Sequence, residues 1–317
     1  MTEPATEAVS PRYADLETWA PLTVMQALWE GQLAAVAALQ PALPALAAAA
    51  TAAADRLRGG GRLAYAGAGT SGRIGVQDGA ELAPTFDWPP DRLLFLIAGG
   101  EAALIRAIEN AEDRGDLALD DVTQAGVGPG DVLVGLAASG STPYTIGCVL
   151  AARDAGALTI GIANSPGSRL LEAAEHPILL ATGPEAIAGS TRMKAGTAQK
   201  AALNLFSTAI MTQLGRVYRG QMVDMLARNE KLRRRAVRML RALTGASTEQ
   251  AAAALTQAGG RVKTAVLVVH GLRAAEADRL LTEHGGDLRR AERALISPSP
   301  GGKGSLLRPV PPGKGLG

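Results

Sequence analysis

Between Leu63 and Ala181 the chain alternates short apolar runs with longer stretches of mixed character. The runs Leu63–Ala66, Leu93–Ala98, Val132–Ala137, Leu158–Ala163 and Ile178–Ala181 are four to six residues long and mostly apolar, which suits strands covered on both faces. The intervening segments Ser71–Leu82, Glu101–Ala111, Pro143–Ala155 and Ser168–Ala174 read as helices. Strands alternating with helices of this length predict an α/β fold, a doubly wound parallel five-stranded sheet. Two helices should precede it. Thr23–Leu39 spaces Val24, Ala27, Leu28, Ala35 and Leu39 as a helix would, with Pro41 and Pro44 ending it. Ala45–Arg58 then runs into Gly59-Gly60-Gly61, a firm stop.

After Thr182 a helical run reaches about Leu214. Five further helical stretches follow: Leu226–Leu243, Thr248–Ala258, Val262–His270, Ala274–His284 and Asp287–Leu295. They read as a long connecting helix and a small helical C-terminal module. The expected organisation is residues 1–54 as an N-terminal segment with helices, 55–222 as the sheet domain, 223–297 as the module, and 298–317 as a proline- and glycine-rich disordered tail.

Composition narrows the function. In 317 residues the formal net charge is +2 and aromatics are 3%, which offers little to a polyanion or to single-stranded nucleic acid; no nucleic-acid partner is expected. Pro44 and Thr51 interrupt the alanine-rich stretch around residues 42–54, so no membrane span and no membrane partner is expected. The N-terminus lacks a basic region followed by an apolar core. The single cysteine, Cys148, excludes an intrachain disulfide framework and fits a reducing, cytoplasmic setting. It lies in an apolar helical segment and reads as a core residue. His176, His270 and His284 lack metal-ligand spacing, so no metal is expected. The basic run from Lys231 to Arg241 reads as the wet face of a helix.

Candidate chemistry sits in the loops that follow the strands, where ligands of such sheets bind. Gly67-Ala68-Gly69-Thr70-Ser71-Gly72 joins a strand to a helix N-terminus, a ready anion site of bare N–H groups and hydroxyls. It also satisfies the dinucleotide pattern G-x-G-x-x-G, but the ribose-gripping acid that should end the next strand could only be Glu101, which falls late. Ala138-Ser139-Gly140-Ser141-Thr142 is a second strand-to-helix loop dense in hydroxyls. Two such loops suit a compact phosphate ester with sugar hydroxyls better than a bridging pyrophosphate. A third cluster, Gly189 to Thr197, carries Ser190, Thr191 and Lys194 within one turn. Ser190 or Thr191 could simply cap the following helix, or all three could face a ligand. Cations at a helix N-terminus oppose its dipole, so an anion or a carboxylate is expected beside Arg192 and Lys194.

The segments GAGTSGR, DGAELAPTF, LIAGG, IENAED, AASGSTPY and, above all, GPEAIAGSTRMKAGTAQKAALN resemble the N-acetylmuramic acid 6-phosphate etherases of the sugar isomerase (SIS) superfamily. The resemblance runs from about residue 55 to 296. It implies a homodimer with active sites near the subunit interface and no cofactor. It also implies cleavage of the D-lactyl ether of N-acetylmuramic acid 6-phosphate with water, to N-acetylglucosamine 6-phosphate and D-lactate, in cell-wall amino-sugar recycling. The family's two catalytic glutamates fall on Glu81, as proton donor to the leaving lactate, and Glu112, as general base. The substrate-binding side chains would be Thr70, Ser71, Ser139, Ser141, Thr142, Ser190, Thr191 and Lys194. Ser141 stands where the family usually has arginine, which bears on phosphate affinity or substrate identity.

The chemistry accounts for two carboxylates. With the sugar ring open, the C1 aldehyde acidifies the C2 proton for a base, and lactate leaves C3 most easily when an acid protonates it. One group must be ionised and the other protonated. Ser71 to Glu81 spans about 15 Å along a helix, too far for Glu81 to serve a small phosphosugar held at its own helix start. The phosphate is therefore expected on the loop Ser139–Thr142, with Glu81 arriving from elsewhere, a partner protomer included. Two rivals remain: a non-catalytic sugar-phosphate sensor, disfavoured by the retained pair of glutamates, and an aldose–ketose isomerase, disfavoured by the GSTRMKAGTAQK segment.

Overall fold

A computed structural model describes residues 4–227 and 229–296, apart from the side chain of Ile296; the tail expected at 298–317 lies outside the described residues. The chain divides into two compact units, the first comprising residues up to Glu81 with Pro89–Ile210, the second Leu82–Trp88 with the chain from Met211 onward.

The first unit opens with α1 (Pro21–Ala37) and α2 (Leu43–Arg58), separated by a short turn at Gln40–Ala42. Leu46, Ala49, Ala50, Ala53, Ala54 and Leu57 are buried on α2, a one-sided helical stripe. Its alanines let the helix lie close against the sheet it covers. Contrary to the expectation that no stretch resembles a span, residues 21–58 are long and apolar enough to pass as one by composition. In the fold, α2 commits its apolar face to the core. In α1, by contrast, Leu22, Met25, Trp29, Leu33 and Val36 stand exposed.

Then follow β1 (Leu63–Gly67), α3 (Gly69–Phe86), β2 (Leu93–Ile97), α4 (Gly115–Gln124), β3 (Val132–Ala137), α5 (Pro143–Asp154), β4 (Leu158–Ala163), α6 (Arg169–Ala173), β5 (His176–Leu179) and α7 (Lys194–Gln213). All five strands are parallel in the order β2-β1-β3-β4-β5. The three central strands are buried at every position, while both edge strands are partly exposed. This is the doubly wound sheet that the apolar runs predict.

Two anchors fix the sheet. Asp78 of α3 accepts hydrogen bonds from Tyr65 Oη at 2.7 Å, Asn204 Nδ2 at 2.7 Å and Ser207 Oγ at 3.1 Å, tying β1, α3 and α7 together. Asp131, just before β3, accepts from the Arg62 backbone N–H at 2.8 Å, from the Arg62 guanidinium at 2.6 Å and from the Gly128 N–H at 3.0 Å. Burial works against the Asp131 carboxylate, but the hydrogen bonds from Arg62 and Gly128 outweigh it and hold its pKa below the ordinary 3.8. A depressed folded-state value means the stabilisation is complete above pH ~4 and is lost as acid titrates below it. Asp131→Asn should therefore lower the urea midpoint at pH 7, with the difference from wild type shrinking toward pH 3. A difference independent of pH would remove the ion pair from this account.

Cys148 is fully buried in the core beside Tyr144 and Val149, and burial pushes its thiol up to about 12. It is a packing residue.

The second unit carries a two-residue antiparallel hairpin, β6 (Val217–Tyr218) and β7 (Gln221–Met222), whose turn residues Arg219 and Gly220 both have positive φ. Five helices follow: α8 (Glu230–Thr244), α9 (Thr248–Gln257), α10 (Val262–Val269), α11 (Ala274–Glu283) and α12 (Leu288–Ile296). The first begins four residues later than its apolar pattern suggests, because Asn229 caps it by accepting from Leu232 N. The basic run is its exposed face.

One expected helix is absent. Glu101–Ala111 forms short 3-10 turns at Glu101–Leu104 and Ala111–Asp113 instead. The guanidinium of Arg73 donates to the carbonyls of Ala103, Leu104 and Arg106, each at 3.1 Å, and so takes acceptors that a helix there would need. Only Ala103 of that first turn is buried. The helix on this connection is α4, a few residues later.

Candidate functional site

In the order β2-β1-β3-β4-β5 the direction in which successive strands are added reverses between β1 and β3, and the crevice at their carboxyl ends is where such folds take ligands. The loop after β1 turns sharply because Gly67 and Gly72 lie in close contact: a Cβ on Gly67 would meet the Gly72 nitrogen at 2.9 Å. That contact brings Thr70 and Ser71 onto the first turn of α3. The loop after β3 ends at Thr142, the N-cap of α5, whose side chain does not cap the helix. Within it, Ser139 Oγ accepts from Ser141 N at 3.2 Å and from Ser141 Oγ at 2.9 Å.

These two loops frame a cavity of about 520 Å³, the size of an ordinary small-molecule site. Thr70 and Ser71 line one side; Ser139, Ser141 and Thr142 line another. Glu112 and Asp113 enter from the 3-10 turn before α4, Thr191 and Gly189 from the segment before α7, and Glu7 from the N-terminal segment. No lysine or arginine lines it among the described residues. An anion there would be held by hydroxyls, main-chain N–H groups and the starts of α3 and α5.

A larger cavity of about 770 Å³ lies in the second unit, but its charges are already paired: Lys263 Nζ with Asp224 at 2.7 Å and Arg261 with Asp278 at 2.7 Å. The crevice between the strand-end loops is the better candidate because its polar groups face open space.

Seven of the ten expected site residues thus line one cavity: Thr70, Ser71, Glu112, Ser139, Ser141, Thr142 and Thr191. Glu81, Ser190 and Lys194 do not line it. Glu81 is exposed on α3, twelve residues past Gly69 and so about 18 Å along the helix. Lys194 is turned inward, its Nζ donating to the Thr182 carbonyl at 3.0 Å, and burial lowers its pKa against the pull of Glu185. The start of α7 is capped neither by Ser190 nor by Thr191. Glu185, fully buried, accepts from the N–H groups of Lys194 at 3.0 Å and Ala195 at 2.9 Å. This is the carboxylate that the unfavourable cations at that helix start imply. The loops after β2 and β4 lie outside the cavity lining.

Three residues behind the site escaped the sequence reading. Arg73 clamps the segment leading to Glu112, and Gln199 with Asn164 stands behind Ser71. Their signal was weak: a lone arginine after a glycine loop, an asparagine opening the loop after β4, and a glutamine between Ala198 and Lys200.

Residues 45–153 match the family model described as the glucokinase regulatory protein N-terminal SIS domain, and residues 115–209 match the SIS domain model. Among solved structures the chain is similar to a phosphoheptose isomerase from Francisella tularensis, with a TM-score of 0.48 and 21% identity over 61% of this chain and all of that one. Among curated proteins it is 53% identical to an N-acetylmuramic acid 6-phosphate etherase of Deinococcus radiodurans, across 92% of this chain and 96% of that protein. It is 47% identical to one of Streptomyces avermitilis, across 90% and 92%. With that identity over nearly the whole length of both proteins, the chain belongs to the N-acetylmuramic acid 6-phosphate etherase family.

Proposed function

We propose that this protein cleaves the D-lactyl ether of N-acetylmuramic acid 6-phosphate with water, releasing N-acetylglucosamine 6-phosphate and D-lactate, in cytoplasmic recycling of cell-wall amino sugars. The observation that carries the reading is the placement of Glu112 in the cavity framed by the two hydroxyl loops. The phosphate sits on Ser139, Ser141 and Thr142 at the start of α5, and Thr70 and Ser71 hold the sugar. Glu112 removes the C2 proton of the open-chain aldehyde, the C3–O bond breaks, and an acid protonates the departing lactate oxygen. Water then adds at C3 of the unsaturated aldehyde and the proton returns to C2, which balances the reaction without a cofactor. Ser190 and Lys194 take structural roles in this scheme.

The acid is Glu81 of a second copy. Its distance along α3 keeps it from its own cavity, and the exposed apolar stripe of α1 offers a surface for self-association. Two measurements test these statements. Incubation with N-acetylmuramic acid 6-phosphate should release D-lactate; folded protein that releases none defeats the reading. An equimolar mixture of Glu81→Ala and Glu112→Ala protomers should recover about a quarter of wild-type activity, since half the dimers are mixed and each has one intact site. If both glutamates come from one protomer, the mixture stays as inactive as its parts.

A further inference from the structure

Behind the cavity wall runs a chain of buried amides with one permitted direction. Asn164 Nδ2 lies 3.0 Å from the Leu180 carbonyl, Gln199 Nε2 lies 3.0 Å from Asn164 Oδ1, and Ser71 Oγ lies 2.8 Å from Gln199 Oε1. Asn164 and Gln199 are fully buried and Ser71 is 7% exposed. A backbone carbonyl can only accept, so Asn164 must present its NH₂ to Leu180 and its oxygen to Gln199. Gln199 must then donate to Asn164 and offer its own oxygen to Ser71. Reversing either amide would set two oxygens face to face at about 3 Å, too close for a water to come between them, which a buried site does not tolerate. The hydroxyl proton of Ser71 is thereby committed inward.

We infer that Gln199 and Asn164 are positioning residues that make Ser71 an acceptor-only group in the cavity, so that it meets a hydrogen-bond donor of the ligand, a sugar hydroxyl or an amide N–H, and never a phosphate oxygen. The inference rests on the sugar-phosphate reading of this cavity and divides it. The donor-bearing part of the ligand lies against the start of α3, and the phosphate, which offers only acceptors when fully ionised, goes to the loop Ser139–Thr142, where Ser141 Oγ donates to Ser139 Oγ and the hydroxyl protons of Ser139 and Thr142 remain to turn toward it. Gln199 lies in the GTAQK part of the segment that most distinguishes this chain, and it reaches the cavity only through Ser71.

Calorimetric titration of N-acetylglucosamine 6-phosphate and of inorganic phosphate into wild type, Ser71→Ala, Gln199→Met and the double variant tests this. Each single variant should bind the sugar phosphate about five- to ten-fold more weakly, the worth of one neutral hydrogen bond. The double variant should lose no more than the worse single, since the two act as one unit. Inorganic phosphate should bind all four within two-fold. A parallel loss of phosphate affinity in Ser71→Ala would mean that Ser71 donates to phosphate and would overturn the inference. So would unchanged sugar-phosphate binding in that variant, or multiplied losses in the double. Should Gln199→Met fail to fold, Ser71→Ala still decides, because it removes one oxygen at the cavity wall and leaves the amide pair intact. Wild type that binds phosphate but not the sugar phosphate would overturn the functional reading and this inference with it.

Discussion

Glu112→Gln is expected to lower turnover by about 10²–10⁴-fold, the usual worth of a positioned general base, with little change in thermal stability. Glutamine keeps the shape of the side chain but cannot take up a proton. Glu112 is exposed on its 3-10 turn and forms no salt bridge among the described residues, so its replacement by an isosteric glutamine has little structural route to a large effect. Magnitude separates the possible roles. Loss of one neutral hydrogen bond to substrate would cost about five- to ten-fold and act mainly on KM; loss of the base acts on kcat. Asp113 lines the same cavity and is the internal control. Asp113→Asn should change kcat by less than about ten-fold, and a larger effect there than at Glu112 would exchange the two assignments. The proposed base also depends on its mounting, since the Arg73 clamp on three carbonyls holds the segment that carries Glu112.

That mounting marks the limit of what the sequence reveals. β3 and β4 match their apolar runs residue for residue, because a strand buried on both faces leaves an unbroken apolar signature. β5 begins two residues before its expected start, at His176-Pro177, a proline that only an edge strand tolerates. The 101–113 segment misled because Ala102, Ala103, Leu104 and Ile108 imitate helical spacing. What overrules them is a side chain thirty residues away in sequence, and no local pattern records that. The hairpin at Val217–Met222 is too short for periodicity to show. Around the cavity, the hydroxyl-rich loops were legible because sharp strand-to-helix turns concentrate small polar residues there. The split of the third cluster into Thr191 at the cavity and Lys194 in the interior was not legible, because it depends on Glu185 reaching the start of α7 from the preceding segment.

Gly140→Ala should destabilise the protein by about 2–5 kcal/mol, the sum of a left-handed backbone penalty of roughly 1–2 and an overpacking cost of roughly 1–3. Gly140 has φ +66°, and an added Cβ would lie 2.1 Å from Ser168 Oγ, 2.4 Å from Ser168 Cβ and 3.0 Å from Ala163 Cβ. Rotating the serine hydroxyl aside cannot help, since the Ser168 Cβ itself is too close, so backbone must move. The backbone that would move joins Ser139 to Ser141 and is held on one side by Gly140 N to Ala137 O at 3.1 Å and on the other by Leu170 N to Gly140 O at 2.9 Å. The variant should therefore lose inorganic-phosphate affinity along with stability. Ser168→Gly separates the two costs: its hydroxyl is buried with no hydrogen-bond partner among the described residues, and removing its Cβ opens the space. In the Gly140→Ala/Ser168→Gly double variant the overpacking part should return in chemical denaturation and phosphate binding should recover, leaving only the penalty for positive φ. A double variant no better than Gly140→Ala would mean that the conformation of Gly140, rather than its contact with the start of α6, sets the shape of the loop.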